Sequence, residues 1–271
     1  MTGPGEAPAH ETYETHETYE ITLPGGRKVL SPEANQGLAL WQDVVGNDVY
    51  ARAVDGLSAG DVVFDVGANI GFAACLFTDL VPGLRVYSFE PAEACYACLQ
   101  VNAARLRADI TAVRAAVGAE PGTAELTYYP KSPAQSSLYP DSDEDRRNST
   151  VYLVNSGIGA EAADVFLADM HRGHSYPVEV TTVAAALDEY GVDELALLKI
   201  DVERAEQDVL DGVGEAGWSR VRRVVAEIHD TDGRLDSVTR HLSERGFEVE
   251  VGQERLLAGT NVHMLLAARD R

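Results

Sequence analysis

Asp65, Gly67 and Gly71 stand at the end of the apolar run Val62-Val63-Phe64, in the pattern Asp65-x-Gly67-x-x-x-Gly71, and Glu90 follows nineteen residues after the last glycine. A Val-rich run of this length reads as a buried strand, and glycines behind it let the backbone turn tightly and approach a ligand. Glu90 closes a second apolar run, Val86-Tyr87-Ser88-Phe89. If the two strands are parallel neighbours, its carboxylate lies beside the first loop, placed to accept hydrogen bonds from ribose hydroxyls. A dinucleotide fingerprint has a third glycine so that pyrophosphate can lie on the helix N-terminus. That glycine is missing here, and Asp65 would repel a pyrophosphate while suiting a cationic, hydroxyl-bearing ligand such as S-adenosylmethionine (SAM). The expected donor site is therefore Asp65, Gly67, Ala68, Asn69 and Gly71 around the methionine half, Glu90 with Pro91 at the ribose, and Ala116 and Val117 at the edge of the adenine pocket.

A second cluster lies in Leu198-Lys199-Ile200-Asp201-Val202-Glu203-Arg204-Ala205-Glu206. In doubly wound sheets ligands bind outside the carboxyl ends of the strands, so Asp201 is expected to share a crevice with Asp65. Glu203 and Glu206, three apart at an expected helix start, would present both carboxylates on one face, with helix capping as the competing role for Glu206. His229 ends another strand, Val224-Val225-Ala226-Glu227-Ile228-His229. Its ordinary pKa makes it a natural acceptor for a hydroxyl proton, against a structural histidine bonded to Asp230 or Glu227. His229 and Asp201 thus compete for the base, with Glu203 and Lys199 as further catalytic candidates. Asp201, Glu203 and Glu206 offer oxygen enough for Mg²⁺, as some catechol-type methyltransferases use, but sequence gives no geometry and no metal is assigned. His171-x-x-His174 has no nearby cysteines to complete a metal site. Asp141-x-Asp143-x-Asp145 begins like a calcium loop, yet Arg146 takes the glycine position and Tyr152 that of the closing glutamate, so a solvated acidic loop is expected.

Composition narrows the partners. Twenty-two Lys and Arg against forty-four Asp and Glu leave a formal charge of -22, which disfavours nucleic acid and anionic membrane surfaces. No apolar run approaches a membrane span and no basic-then-apolar leader opens the chain, so a cytoplasmic protein acting on a small molecule is expected, with a homodimer as an option. Cys75, Cys95 and Cys98 are too few for a disulfide framework. Cys95-x-x-Cys98 lies inside a helical pattern rather than at a helix start, which favours core packing over redox chemistry.

The elements that must position these groups alternate from Asp61 onward. Strand 62–66, helix 70–80, strand 85–90, helix 92–107 and strand 110–117 make successive βαβ units and demand a parallel sheet. After an irregular, polar insertion at 119–177, containing a short strand at 124–129 and expected to act as a lid, come strand 178–182, strand 195–200, helix 204–213, strand 221–228, helix 232–245 and two closing strands, 247–251 and 261–267. The last two are joined by a few turn residues and are expected to be antiparallel. Residues 20–60 read as a cap built from a hairpin at Pro24-Gly25-Gly26 and helical segments, and 1–19 as a loosely ordered arm. The expected fold is an α/β, Rossmann-like class I methyltransferase domain over 61–271, a mostly parallel seven-stranded sheet with one reversed strand.

The sequence resembles the FkbM-type methyltransferases from about Tyr50 to Ala267. The residues that carry the resemblance are Asp65-Val66-Gly67-Ala68-Asn69-Ile70-Gly71, Phe89-Glu90-Pro91, Ser136-Ser137-Leu138 and Lys199-Ile200-Asp201-Val202-Glu203-Arg204-Ala205-Glu206. The resemblance implies SAM-dependent methylation, often at an oxygen of natural-product, sugar or lipid-like acceptors. N- or carboxyl-methylation, a non-catalytic SAM-fold scaffold and an NAD- or FAD-binding protein are the alternatives. The family usually has glycine where this chain has Arg204. Arg204 is expected either to reach the acceptor pocket, with Ser136 and Ser137, or to lie on the helix surface.

Overall fold

The computed structural model describes residues 17–106 and 108–269; residues 1–16 of the expected arm lie outside them. A hairpin, β1 (Tyr19–Thr22) and β2 (Lys28–Ser31), leads into two short helices, α1 (Gly37–Gly46) and α2 (Asp48–Ala53). Then β3 (Val62–Val66), α3 (Phe72–Leu80), β4 (Arg85–Phe89), α4 (Glu93–Leu106) and β5 (Asp109–Val113) alternate as the apolar periodicity predicts. β6 (Ala116–Val117), β7 (Gly122–Tyr128), α5 (Ser142–Asn155), α6 (Ala160–Leu167) and β8 (His174–Thr181) follow. The chain closes through α7 (Val183–Glu189), β9 (Leu197–Ile200), α8 (Glu206–Asp211), α9 (Gly214–Gly217), β10 (Arg223–His229), α10 (Arg234–Ser243), β11 (Glu248–Gly252) and β12 (Val262–Ala268).

Seven strands form one sheet in the order β11-β12-β10-β9-β3-β4-β5. Neighbours from β10 to β5 are parallel, and β12 runs antiparallel to both β10 and β11, so it is the reversed strand. The chain leaves β3 toward β4 and β5 on one side and returns to β9 and β10 on the other. That makes the carboxyl ends of β3 and β9 the topological switch point, where such sheets bind ligands.

Alternation sorts the strand residues between two faces. Phe64, Val66, Leu198, Ile200 and Val224 join the buried side chains of α7, α8 and α10, and Val63, Val86, Leu197 and Val225 join Tyr50, Ala53, Ala74 and Phe77 of α2 and α3. The cap is thereby part of the second core rather than an appendage. Cys95 and Cys98 are buried on α4, burial pushing the Cys98 thiol up to about 11, which agrees with packing as their role.

Three expectations about the middle of the chain change. The strand foreseen at 110–117 is two: β5 belongs to the main sheet, while β6 pairs with β8 in a separate three-stranded sheet, β6-β8-β7. The strand foreseen at 178–182 is the end of β8 in that small sheet, not a return to the main one. The insertion 119–177 is also largely regular. Its polar stretch Ser142–Asn155 is a helix because Asp141 caps it, accepting from Glu144 N at 2.9 Å, and Asp143, Glu144 and Asp145 sit in the first turn where the helix dipole favours acids. Tyr152 Oη donates to Asp43 of α1 at 2.8 Å, and Asn148 Nδ2 to Asn261 Oδ1 at 2.8 Å, so the insertion is fastened over the carboxyl ends of the strands. Among the described residues no helix is long and apolar enough to cross a membrane.

Among the described glycines, Gly67 leaves the least room for a side chain. Its φ is +73°, and a Cβ there would overlap the backbone carbonyl of Asp201 across the switch point. Gly67→Ala combines a left-handed conformation, about 1 kcal/mol, with a displaced backbone. We expect a loss of at least about 2 kcal/mol of stability in urea denaturation. An unchanged midpoint would show that this close approach does not constrain the loop.

Candidate active site

At the switch point lies a cleft of about 450 Å³, floored by the loop after β3 and the ends of β4, β9 and β10, and roofed by α1, α5 and α6. One side of it is built by the glycine loop. Asn69 adopts φ +49°, a conformation that asparagine accepts better than most residues, and its Oδ1 takes the amide of Ile70 at 2.7 Å. Glu90 accepts from Asn69 N and Ala92 N, both at 2.8 Å, and so ties the loop to the start of α4. Burial raises its carboxyl to about 7, although those amides pull the other way. Gly67, Ala68, Asn69, Glu90, Pro91, Ala116 and Val117 all line the cleft, as the sequence leads one to expect of a donor site.

Asp65 and Gly71 do not line it. Gly71, at φ +92°, caps α3 and packs against Leu99. Asp65 is fully buried and opposes Lys199 in the parallel register of β3 and β9, its Oδ1 3.0 Å from the ammonium. It therefore faces a cation of the chain itself rather than the cleft. Lys199 Nζ donates to Gly67 O at 2.7 Å and lies 3.5 Å from Asp201 Oδ2. Burial works against its charge, yet Asp65 and Asp201 outweigh that and hold the ammonium above its ordinary value. The lysine fixes the loop; its charge is already matched on both sides.

The opposite wall gathers acids. Asp201, Glu203, Glu227 and His229 come from the ends of β9 and β10, and Tyr50 of α2 reaches Asp201 Oδ2 at 3.3 Å. His229 is bonded neither to Asp230 nor to Glu227. Its Nδ1 meets Glu206 Oε1 at 2.9 Å and its Nε2 meets Glu203 Oε2 at 3.1 Å. Burial disfavours its charge, but the two glutamates prevail and raise its pKa well above the ordinary value. With both ring nitrogens engaged by carboxylates, His229 is not the free base expected of it. Glu203 is raised by burial, with His229 opposing. Glu227 is raised well above the carboxylate range by burial and by Asp201.

The segment between Asp201 and α8 differs from the expected helix start. Glu203 and Arg204 have φ of +52° and +83°, and the helix begins only at Glu206. Two consecutive left-handed residues are costly, and the surroundings hold them there. Ser137 Oγ donates to Glu203 O, which is the part Ser137 plays; Ser136, not Ser137, lines the cleft. Arg204 N donates to Glu206 Oε1 at 2.8 Å. Arg204 neither enters the cleft nor lies on the surface: its guanidinium is buried against Asp145, with Glu144 at 3.5 Å. Asp145 is thus a buried ion-pair partner rather than part of a solvated loop. Glu206 turns from the cleft to His229 and to Arg234, 3.0 Å away, so it drops out of the oxygen set suggested for Mg²⁺. His171 bonds Gln135 Oε1 at 2.9 Å and His174 is exposed against Tyr128; neither belongs to a metal-capable group.

Residues not singled out from the sequence complete the cleft. Asp43 and Tyr50 come from the cap, Tyr152 from the insertion, and Glu254 from the β11–β12 connection, its carboxyl raised by burial to about 7. Glu227 was legible as a strand-end acid; the others converge only through packing.

Topology, glycine loop and acid-walled cleft together define a class I, SAM-dependent methyltransferase. Residues 65–249 match the methyltransferase FkbM domain, and the chain belongs to the FkbM methyltransferase family. It is 38% identical over 251 residues, 92% of this chain and 96% of the relative, to the 31-O-demethyl-FK506 methyltransferase FkbM of Streptomyces tacrolimicus. It is 31% identical to methyltransferase sdnD of Sordaria araneosa, covering 71% of this chain and 76% of that one. A 32% match to the AMB antimetabolite synthetase AmbE of Pseudomonas aeruginosa covers 92% of this chain but 12% of that protein. Among solved structures, a precorrin-6y C5,15-methyltransferase from Geobacter metallireducens aligns with TM-score 0.46 at 13% identity, over 82% of this chain and 87% of that one.

The Arg204 environment yields a test. Arg204→Gly relieves about 1 kcal/mol of backbone strain but leaves Asp145 buried without its cation, which costs roughly 3–5 kcal/mol. Denaturation should show a net loss for the single variant and recovery of most of it in Arg204→Gly with Asp145→Ala. Additive losses in the double variant would exclude this coupling.

Proposed function

We propose that this enzyme transfers the methyl group of SAM to a hydroxyl oxygen of a small, natural-product-type acceptor. One observation carries the reading: a single continuous cleft has the glycine loop and Glu90 on one side and the strand-end acids Asp201, Glu203 and Glu227 on the other. The loop and Glu90 hold the donor, the ribose hydroxyls donating to lone pairs that Glu90 keeps beyond its two amide bonds. The acceptor hydroxyl lies toward Glu203 and Glu227. Burial makes these carboxylates more basic, and they take its proton as the oxygen attacks. The new C–O bond forms in line with the breaking C–S bond, whose electron pair stays on sulfur. Alignment of donor and acceptor supplies much of the acceleration, up to roughly 7–11 kcal/mol in the best cases. The identity to relatives named as methyltransferases, one of them a 31-O-demethyl-FK506 methyltransferase, supports oxygen as the methylated atom. The formal charge of -22 supports a small molecule over nucleic acid.

Incubating the protein with methyl-labelled SAM and a panel of hydroxyl-, amine- and carboxyl-bearing small molecules should give a methyl ether, identified by mass and NMR. A product methylated at nitrogen or carboxylate would displace the oxygen assignment. Calorimetry that found NAD bound in place of SAM would displace the whole reading.

Glu90 makes donor binding depend on pH. Its folded value of about 7 exceeds the free carboxyl's, so ionisation opposes folding; that penalty is absent below the free value and complete above about 7. The ionised form accepts both ribose hydroxyls, so SAM affinity should fall as pH drops through about 7. In Glu90→Gln affinity should be about tenfold weaker at high pH, the worth of one charge-assisted bond, and lack the step. A wild-type affinity flat across that range would remove Glu90 from the ribose site.

A further inference from the structure

Glu203, Glu227 and His229 each bring one donor atom to a point where all three atoms lie within 4.8 Å of one another, in the acid wall of the cleft. The set is mixed, two carboxylates and an imidazole, and the imidazole is oriented from behind. His229 Nδ1 is engaged by Glu206 Oε1 at 2.9 Å, and Glu206 is itself held by the backbone amide of Arg204 and by Arg234. That leaves Nε2 beside Glu203 Oε2, where a bound ion would take the place of the proton between the two. A carboxylate behind the far ring nitrogen is the arrangement that fixes tautomer and direction in metal-bound histidines. The near spacing agrees as well. Two ligands bound at about 2.1 Å and at right angles stand about 3.0 Å apart in an octahedral site, and Nε2 lies 3.1 Å from Glu203 Oε2.

We propose that Glu203, Glu227 and His229 Nε2 hold a divalent cation, Mg²⁺ or Mn²⁺, in the acceptor half of the cleft, and that the acceptor's hydroxyl binds to it. Oxygen-rich ligation selects hard divalent ions, and the single imidazole admits manganese. The second clause rests on the oxygen-methylation reading; the metal site itself does not. Bound to the cation, the hydroxyl loses its proton at lower cost, and with Glu203 and Glu227 engaged on the ion that proton goes to solvent rather than to them. The oxygen then forms the C–O bond while the C–S pair remains on sulfur, so one proton is released per turnover with or without the ion.

The test uses the full chain, freed of metals with a chelator, and Mn²⁺ as the probe, followed by electron paramagnetic resonance without SAM or acceptor. Wild type should bind one Mn²⁺ per chain, displaced by excess Mg²⁺. Glu227→Gln and Glu203→Gln should each lose at least about tenfold in affinity, as expected when a charged ligand goes. Glu206→Gln keeps every ligand but loosens the imidazole, and should weaken binding by roughly 10–100-fold. Circular dichroism verifies that each variant is folded, and the wild-type measurement stands whatever they do. Absence of a one-to-one Mn²⁺ site in wild type, or Mn²⁺ affinity unchanged in both folded ligand variants, would overturn the site. Full methyl transfer in the chelated protein would overturn the hydroxyl-binding clause while leaving methylation itself established.

Discussion

The buried ion pair between Asp65 and Lys199 is the constraint on which the rest of the cleft depends. Both side chains are closed off from water, and each removes the desolvation penalty that the other could not bear alone. The pair sits in register across β3 and β9, the two strands of the switch point, and so joins the halves of the sheet by charge as well as by backbone bonds. Lys199 then reaches past the strand end to Gly67 O and toward Asp201, setting loop and acid wall relative to one another. A hydrophobic pair could fill the same volume. It could not hold a loop carbonyl and a carboxylate at once.

The acid wall is a problem in electrostatics that the chain solves in layers. His229 is set between Glu203 and Glu206; Arg204 neutralises Asp145; Arg234 supports Glu206. Among the described residues Glu227 and Glu254, which also line the cleft, are in no salt bridge, and burial raises both carboxyls, with His229 opposing at Glu227. An uncompensated carboxylate facing a cleft is ready to take a proton, a cation or a cationic ligand, and SAM itself carries positive charge on sulfur.

Arg204 shows how a departure from a family pattern is absorbed. Its φ of +83° explains why glycine suits this position, and the ion pair to Asp145 explains how an arginine is kept there. The same contact fastens the insertion to the segment that carries Glu203. A long polar insertion thereby becomes a fixed roof over the acid wall of the cleft.

By itself the sequence determined the parallel sheet, the reversed closing strand and the glycine loop that lines one side of the cleft, because these follow from local periodicity and from glycines that a tight loop requires. Glu90, Asn69 and Gly67 lie where their spacing predicts for that reason. It also misjudged particular side chains. Asp65 reads as a ligand for the donor but answers Lys199; His229 reads as a free base but is engaged by glutamates at both ring nitrogens; residues 141–155 read as a loop but form a capped helix. Each reading turns on a partner distant in sequence, and a side chain's protonation and direction are set by what is packed against it. Only the tertiary structure decided which charges cancel one another and which remain turned to the cleft, because Coulomb energies depend on distances of a few ångströms that spacing along the chain does not encode.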